Sequence, residues 1–322
     1  MTISSEQISR LAALLAERDR YLILTHRRPD GDAVGSAAAL CRILRRLGKT
    51  AYVCPNPETP DKLLPFIADF LPPEGYVPET VTAVDVASWS QLGIGMEGYE
   101  GKVDILVDHH QGNTMEIRCA KVSDVTAAAV GELLWALSEA LHLRMDRETA
   151  TAIYLSVSTD TGCFLYSNTT ADTHRVAAAC IEAGIDLAGL NMEFFERRSR
   201  ARIHMERLVY TNLRYLCGGR VAVMLVTQQM RRETGVTEDD ISDLSSLPRK
   251  IEGVEVGLAV YEQPDGSTKI SVRTAERVDA AALCRRFGGG GHVRAAGCSM
   301  AEAPEQAIER MMAAVQEIFR QL

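Results

Sequence analysis

Tyr21-Leu22-Ile23-Leu24-Thr25-His26-Arg27-Arg28-Pro29-Asp30-Gly31-Asp32-Ala33 is the stretch whose reading decides the fold. Its first half is an apolar, β-rich run that suits a buried strand. From Ala33 to Leu47 apolar residues recur at helical spacing, and Gly48 is placed to end that helix. Between the two, Pro29 and Gly31 impose an irregular backbone. His26, Asp30 and Asp32 are therefore held where a strand ends and a helix begins. In open α/β sheets, ligands bind outside the carboxyl ends of the strands. Taken alone, the loop is equally a turn with Asp32 capping the helix.

The arrangement recurs, which a plain turn does not explain. Asp85 follows the apolar run Val81–Val84, and Asp108-His109-His110 follows Val103–Val107. Asp160 follows the helical run Ile153–Val157, in a later loop. Other expected strands are Ala51–Cys54 and Met115–Val122. Helices are expected at Ser5–Arg18, behind a Ser4/Gln7 capping box, and over Ala127–Leu141 and Arg147–Val157. Thr169 with Asp172 caps another that runs to Ala183. Strands alternating with helices predict a parallel sheet covered on both faces. After Gly184 the pattern changes. A helical stretch, Asp186 to Glu206, is expected to connect the domains. Strands then follow at Arg220–Val226, Val254–Tyr261 and Thr268–Arg273, and helices at Asp279–Phe287 and Pro304–Gln321. The whole reads as an α/β chain: a parallel-sheet domain over residues 1–185, a helical linker over 186–207, and a smaller mixed α/β domain over 208–322.

Asp30, Asp32, Asp85 and Asp160 in one pocket would repel one another and resist ionisation. Two divalent cations remove the conflict. Carboxylates with a minority of histidines suit Mn2+ and admit Mg2+. The 8 cysteines are scattered with no C-x-x-C pair, so a thiolate zinc site or a disulfide framework is not expected. Paired metals about 3.5–4 Å apart are a standard arrangement for phosphate-ester hydrolysis. A second signal lies downstream in Phe287-Gly288-Gly289-Gly290-Gly291-His292, where a glycine run lets backbone N–H groups approach an anion.

H-x-x-x-D-x-D, a lone Asp after a strand, Asp-His-His, a later Asp and a C-terminal G-G-G-G-H, in that order, resemble the DHH phosphoesterases with a DHH-associated C-terminal domain. The likeness runs over nearly the whole chain and is greatest to the bacterial nanoRNase/pAp phosphatase type. It implies that His26 and Asp30 hold one metal, that Asp32, His109 and Asp160 hold the other, and that Asp85 bridges them. His110 matches the residue that contacts the scissile phosphate, and Asp108 looks like its orienting support. Gly289, Gly290, Gly291 and His292 match the substrate grip of the associated domain. Arg273 is similar to that domain's phosphate- or base-contacting arginine. The cleft between the lobes is then where catalysis is expected.

The chain has 322 residues, 46% of them hydrophobic and 24% charged, which excludes disorder and leaves material for two cores. A formal net charge of −8 excludes a broad basic surface for long DNA or RNA. The resemblance implies short oligonucleotides or nucleotide bisphosphates as substrates instead. Residues 1–6 show neither a basic n-region nor an apolar h-region, and no run spans a bilayer, so a cytoplasmic protein is expected. A homodimer is compatible with all of this. Two other readings are a cyclic- or linear-dinucleotide phosphodiesterase and a nucleotide-binding regulator without turnover. The second would be marked by missing ligand positions, and here every position is filled.

Overall fold

The computed structural model describes residues 3–241 and 244–321. By backbone contacts the chain divides into two compact units, Met1–Arg197 and Arg198–Leu322.

The first unit holds a five-stranded sheet of β1 (Tyr21–Leu24), β2 (Ala51–Val53), β3 (Thr80–Val84), β4 (Ile105–Asp108) and β5 (Ala120–Ser123), in the order β2-β1-β3-β4-β5. Every pairing is parallel. Its helices are α1 (Ser5–Glu17), α2 (Gly31–Arg46), α3 (Leu64–Ile67), α4 (Val130–Ala140), α5 (Arg147–Asp160), α6 (Ala171–Glu182) and α7 (Leu187–Asn191). Side chains alternate across the strands. Tyr21, Ile23, Ile105 and Val107 join a core with the helices. Leu22, Leu24 and Leu106 face the opposite way, onto Val86, Leu92, Met96 and Met115. Both faces are thus covered, one by helices and one by irregular chain. Because all strands run the same way, the residues that follow β1, β3 and β4 emerge on one edge. The order also places a topological switch point between β1 and β3, the position at which open α/β sheets bind ligands.

The second unit contains α8 (Arg200–Thr211), β6 (Arg214–Leu216), β7 (Val221–Val226), α9 (Gln228–Thr234), α10 (Glu238–Ile241), β8 (Val256–Glu262), β9 (Thr268–Thr274), α11 (Ala280–Arg285), β10 (Gly290–His292), β11 (Ala295–Met300) and α12 (Pro304–Gln321). Its sheet has the order β10-β11-β9-β8-β7-β6, and only β7 and β8 run parallel. Val256, Leu258 and Val260 pack beneath Leu283 of α11 and Met311 of α12, while Ala259 and Tyr261 pack on Met205 and Val209 of α8.

Several element ends differ from expectation. The strand foreseen over Met115–Val122 is confined to β5, because Met115 turns down into the core beneath the sheet. The helix foreseen from Ala127 begins at Val130. The capping box before α6 is Thr170 with Thr173, one residue later than Thr169 with Asp172. The connector is not one helix. α7 passes into a wider π-turn, Met192–Glu196, and the chain breaks before Ser199 caps α8. The glycine run is not an open loop, since Gly290–His292 pairs with Ala295–Gly297 as an edge strand.

Candidate metal centre

His26 leaves the end of β1, and its Nδ1 lies 2.7 Å from the Arg27 carbonyl. A carbonyl only accepts, so Nδ1 carries the proton and Nε2 is the free lone pair of the neutral ring. That Nε2 sits 3.4 Å from Asp85 Oδ2 and 3.8 Å from Asp30 Oδ1. Asp30 is the N-cap of α2, accepting from the amides of Asp32 and Ala33 at 3.0 and 3.1 Å. His109 repeats the pattern. Its Nδ1 faces the Ala127 carbonyl at 3.1 Å. Its Nε2 lies 3.5 Å from Asp32 Oδ2, 3.5 Å from Asp85 Oδ1 and 3.4 Å from Asp160 Oδ2. Two imidazole lone pairs among carboxylate oxygens repel unless a proton or a cation stands between them.

Asp85 stands between the two halves because β3 lies between β1 and β4. It is buried, its backbone takes a left-handed φ of 57°, and its Oδ1 makes no hydrogen bond, with His109 Nε2 and His110 Nδ1 each 3.5 Å away. A strained backbone and an unsatisfied buried carboxylate oxygen both impose a cost that surrounding structure must sustain. Among the described residues, three groups bring ligand atoms within 4.8 Å of one another: His26, Asp30 and Asp85; Asp32, His109 and Asp160; and Asp85, His109 and His110. The residues present fit divalent cations, and Asp85 is common to both halves, with Oδ2 toward His26 and Oδ1 toward His109.

The electrostatics agree with that geometry. Burial pushes His26 down, but hydrogen bonds and charge from Asp30 and Asp85 outweigh it and hold the imidazole up at about 11. Burial likewise opposes His109, and Asp85, Asp32 and Asp160 raise it to about 11. Burial and the Asp85 charge push Asp32 up to about 6. Burial and the Asp32 charge push Asp160 up to about 8. Asp85 is buried as well, yet the imidazoles of His109 and His26 beside it carry it well below the usual carboxylate range. Protons and cations would thus compete for the same lone pairs.

His110 has the same orientation with a carboxylate as partner: its Nδ1–H donates to Asp108 Oδ1 at 2.8 Å, and its Nε2 becomes a donor when the ring is protonated. That bond is the main reason its pKa is raised. Asp108 is fully buried at the end of β4 and is held in turn by Asn113 Nδ2 at 2.6 Å.

Other supporting side chains carry no sequence signal of their own. Asp32 Oδ1 accepts from Ser36 Oγ at 2.8 Å and Ser156 Oγ at 2.6 Å, and its Oδ2 accepts from Val130 N at 2.9 Å. Helical serines are common, and only the packing of α2 on α5 gives these a role. Asn168 donates to the Ala128 and Asp160 carbonyls at 3.2 and 3.1 Å. Asp160 itself is the last residue of α5 and not a loop residue, because the helix continues one turn past Val157.

In the second unit, Arg273 of β9 pairs with Ala295 and Gly257, and Ala295 pairs with His292. Arg273 and His292 thus share one row of the sheet. The side chain of His292 lies outside the described residues. A Cβ at Gly289 would fall 2.2 Å from the Gly297 carbonyl, and one at Gly291 2.6 Å from that of Ala295. Close pairing with β11 therefore accounts for glycine at both positions, whereas Gly290 has open space around it. Among the described residues no helix is long and apolar enough to cross a membrane.

The DHH family model for the N-terminal domain matches residues 20–157, and the DHHA1 domain model matches residues 218–321. A bifunctional oligoribonuclease and PAP phosphatase NrnA of Thermus thermophilus is 33% identical over 299 residues, covering 92% of this chain and 89% of its own. Its Bacillus subtilis counterpart is 26% identical over 289 residues, covering 88% and 90%. The crystal structure of an exopolyphosphatase-related protein from Bacteroides fragilis shares the fold at a TM-score of 0.88 and 23% identity, covering 98% of this chain and 97% of that one.

Proposed function

The chain belongs to the DHH family, and from that premise we propose that it is a metal-dependent phosphodiesterase that trims short oligonucleotides to mononucleotides and takes 3′-phosphoadenosine 5′-phosphate to AMP. The observation that carries this reading is the meeting of His26, Asp30, Asp32, Asp85, His109 and Asp160 around an unsatisfied Asp85 oxygen. The relatives of similar length, bifunctional oligoribonuclease and PAP phosphatases by name, supply the substrate class.

His26 and Asp30 with Asp85 would hold one ion, and Asp32, His109 and Asp160 with Asp85 the other. Mn2+ suits this mixture of carboxylate and imidazole, and Mg2+ is the alternative. Bound there, such ions supply positive charge for the phosphate oxygens and a water acidic enough to attack phosphorus. The protein's own part follows from its geometry. Asp108 holds His110 by Nδ1 and favours its protonated form, so Nε2 can donate to a phosphate oxygen or to the departing ribose oxygen. Water adds to phosphorus, the P–O bond to the leaving nucleoside breaks, and that oxygen takes a proton. In this reading residues 1–185 carry the chemistry, 186–207 connect, and 208–322 grip the distal nucleotide through Arg273, Gly289–Gly291 and His292.

The test is release of AMP from the dinucleotide pApA by the purified chain with Mn2+. Asp85→Ala should remove turnover while circular dichroism shows the fold intact. Turnover by that variant, or in excess chelator, sinks the reading. A panel of pGpG, cyclic di-AMP and 3′-phosphoadenosine 5′-phosphate ranks substrates in the same assay. Tight nucleotide binding without hydrolysis would point to a regulator.

A further inference from the structure

The chain leaves α5 at Asp160 through a strained turn. Gly162, Cys163 and Phe164 take φ values of 57°, 56° and 65° in succession. Left-handed backbone is disfavoured for residues other than glycine, and it persists only where neighbours enforce it. Here they do. Cys163 N bonds the Ser158 carbonyl at 2.7 Å, Phe164 N bonds Thr161 Oγ1 at 3.1 Å, and the Phe164 ring stacks on His174 with centroids 5.2 Å apart.

The product of that strain is an exposed apolar pair. Leu165 is 84% exposed and Tyr166 is 51% exposed. The amides of both bond the Thr161 carbonyl at 3.0 Å, so they stand beside the residue that follows Asp160. Asn168 ties the end of the loop to the Asp160 carbonyl at 3.1 Å. The Tyr166 ring is not loose. A Cβ at Gly162 would fall 2.4–2.6 Å from its ring carbons, so the ring lies in the space that a side chain there would fill. Gly162 lies against the ring, and the residue as a whole is half exposed. A single exposed leucine or tyrosine requires no explanation. A fixed ring with a leucine beside it, raised by a strained turn next to a metal-type carboxylate, does.

We propose that Tyr166, backed by Gly162 and flanked by Leu165, is a stacking platform for the nucleobase that adjoins the hydrolysed phosphate. The inference rests on the phosphodiesterase reading and adds to it the contact that holds the base. The carboxylate–imidazole cluster can recognise only the phosphate and its counter-ions. A pre-positioned ring recognises a base without loss of side-chain freedom. Stacking also tolerates every base, because each has a π-face. The site would thus select for the presence of a base and only weakly for its identity.

The experiment compares steady-state kinetics on pApA and on the same molecule lacking both adenines, with Mn2+. Stacking of one base on an aromatic ring corresponds to roughly 5- to 100-fold in affinity. Tyr166→Ala should raise KM for pApA within that range and leave the abasic KM unchanged, with kcat near wild type. Tyr166→Phe should restore the wild-type KM. Leu165→Ser, at a position on which folding does not depend, should give a smaller rise confined to pApA. An unchanged ratio of the two KM values in Tyr166→Ala overturns the proposal. So does an equal loss on both substrates, which would make the ring a support for Asp160. Should Tyr166→Ala not fold, an unchanged ratio in Leu165→Ser overturns it. If the wild-type chain hydrolyses neither substrate, the phosphodiesterase reading itself falls, and this inference falls with it.

Discussion

Asp32 shows how much of a buried carboxylate's behaviour is set by residues that a sequence does not flag. It is buried and lies within reach of His109, yet both of its oxygens are satisfied by donors: Ser36 and Ser156 on one, Val130 N on the other. These bonds fix the direction of its lone pairs. Ser156 Oγ also accepts from Gly131 N at 2.8 Å. Ser156→Ala therefore has two expected effects. Outer partners of this kind are worth about 10- to 100-fold in metal affinity, so Mn2+ binding by calorimetry should weaken by that factor. The stranded Gly131 amide should cost about 1–3 kcal/mol in urea unfolding. Unaltered affinity would show that Asp32 needs no such orientation. The ligand-type residues were legible because Asp and His at strand ends are rare without a purpose. Ser36 and Ser156 were not, since serine on a helix is ordinary and their meeting depends on which helix packs on which.

At the scale of elements, the site depends on the close approach of α2 and α5. α2 begins with Asp30 and Asp32, and α5 ends at Asp160 and carries Ser156. A Cβ at Gly35 would fall 2.5 Å from the Ala152 carbonyl and 2.9 Å from Ser156 N, both backbone atoms that cannot step aside. Gly35→Ala should force the helices apart and cost about 1–3 kcal/mol of stability. Mn2+ affinity should fall in the same variant, because Asp160 and Asp32 sit on opposite sides of that seam. Normal stability by calorimetric scan would show that the seam yields easily. The existence and kind of most elements were readable from periodicity, but their ends were not. α5 continues to Asp160 through polar residues that carry no apolar period. The glycine run reads as a loop by composition, and becomes a strand only because β11 offers a partner on which its glycines can lie close. Arg214–Leu216 and Ala295–Met300, too, form strands in the context of a sheet whose order local sequence does not express.

For the whole molecule, the change of pattern after Gly184 announces two parts, while the division at Arg197 and Arg198 depends on how the connector breaks. The acidic balance of the chain, −8 overall, is at its most concentrated consequence in the cluster, and pH exposes it. His26 and His109 are raised from 6.5 to about 11, so each contributes stability that is complete below about 6.5 and lost as pH climbs through 11. Asp85 is depressed, so its contribution is present above 3.8 and lost as pH falls below that value. Asp32 and Asp160 are raised from 3.8 to about 6 and about 8, so their ionisation opposes folding increasingly between 3.8 and those values. The metal-free protein should accordingly weaken between pH 6 and pH 8. Cations need the imidazole lone pairs and the ionised carboxylates, and His26, His109 and Asp160 are all shifted toward holding their protons, so loading should expel protons. Affinity should therefore rise with pH. Two measurements check this. Titration calorimetry at pH 7 in buffers of different ionisation enthalpy should report net proton release on Mn2+ binding. The gain in thermal midpoint from Mn2+ over chelator should be larger at pH 8 than at pH 6. Binding without proton release, or a gain that shrinks with pH, would mean that the ion sits elsewhere than among these side chains.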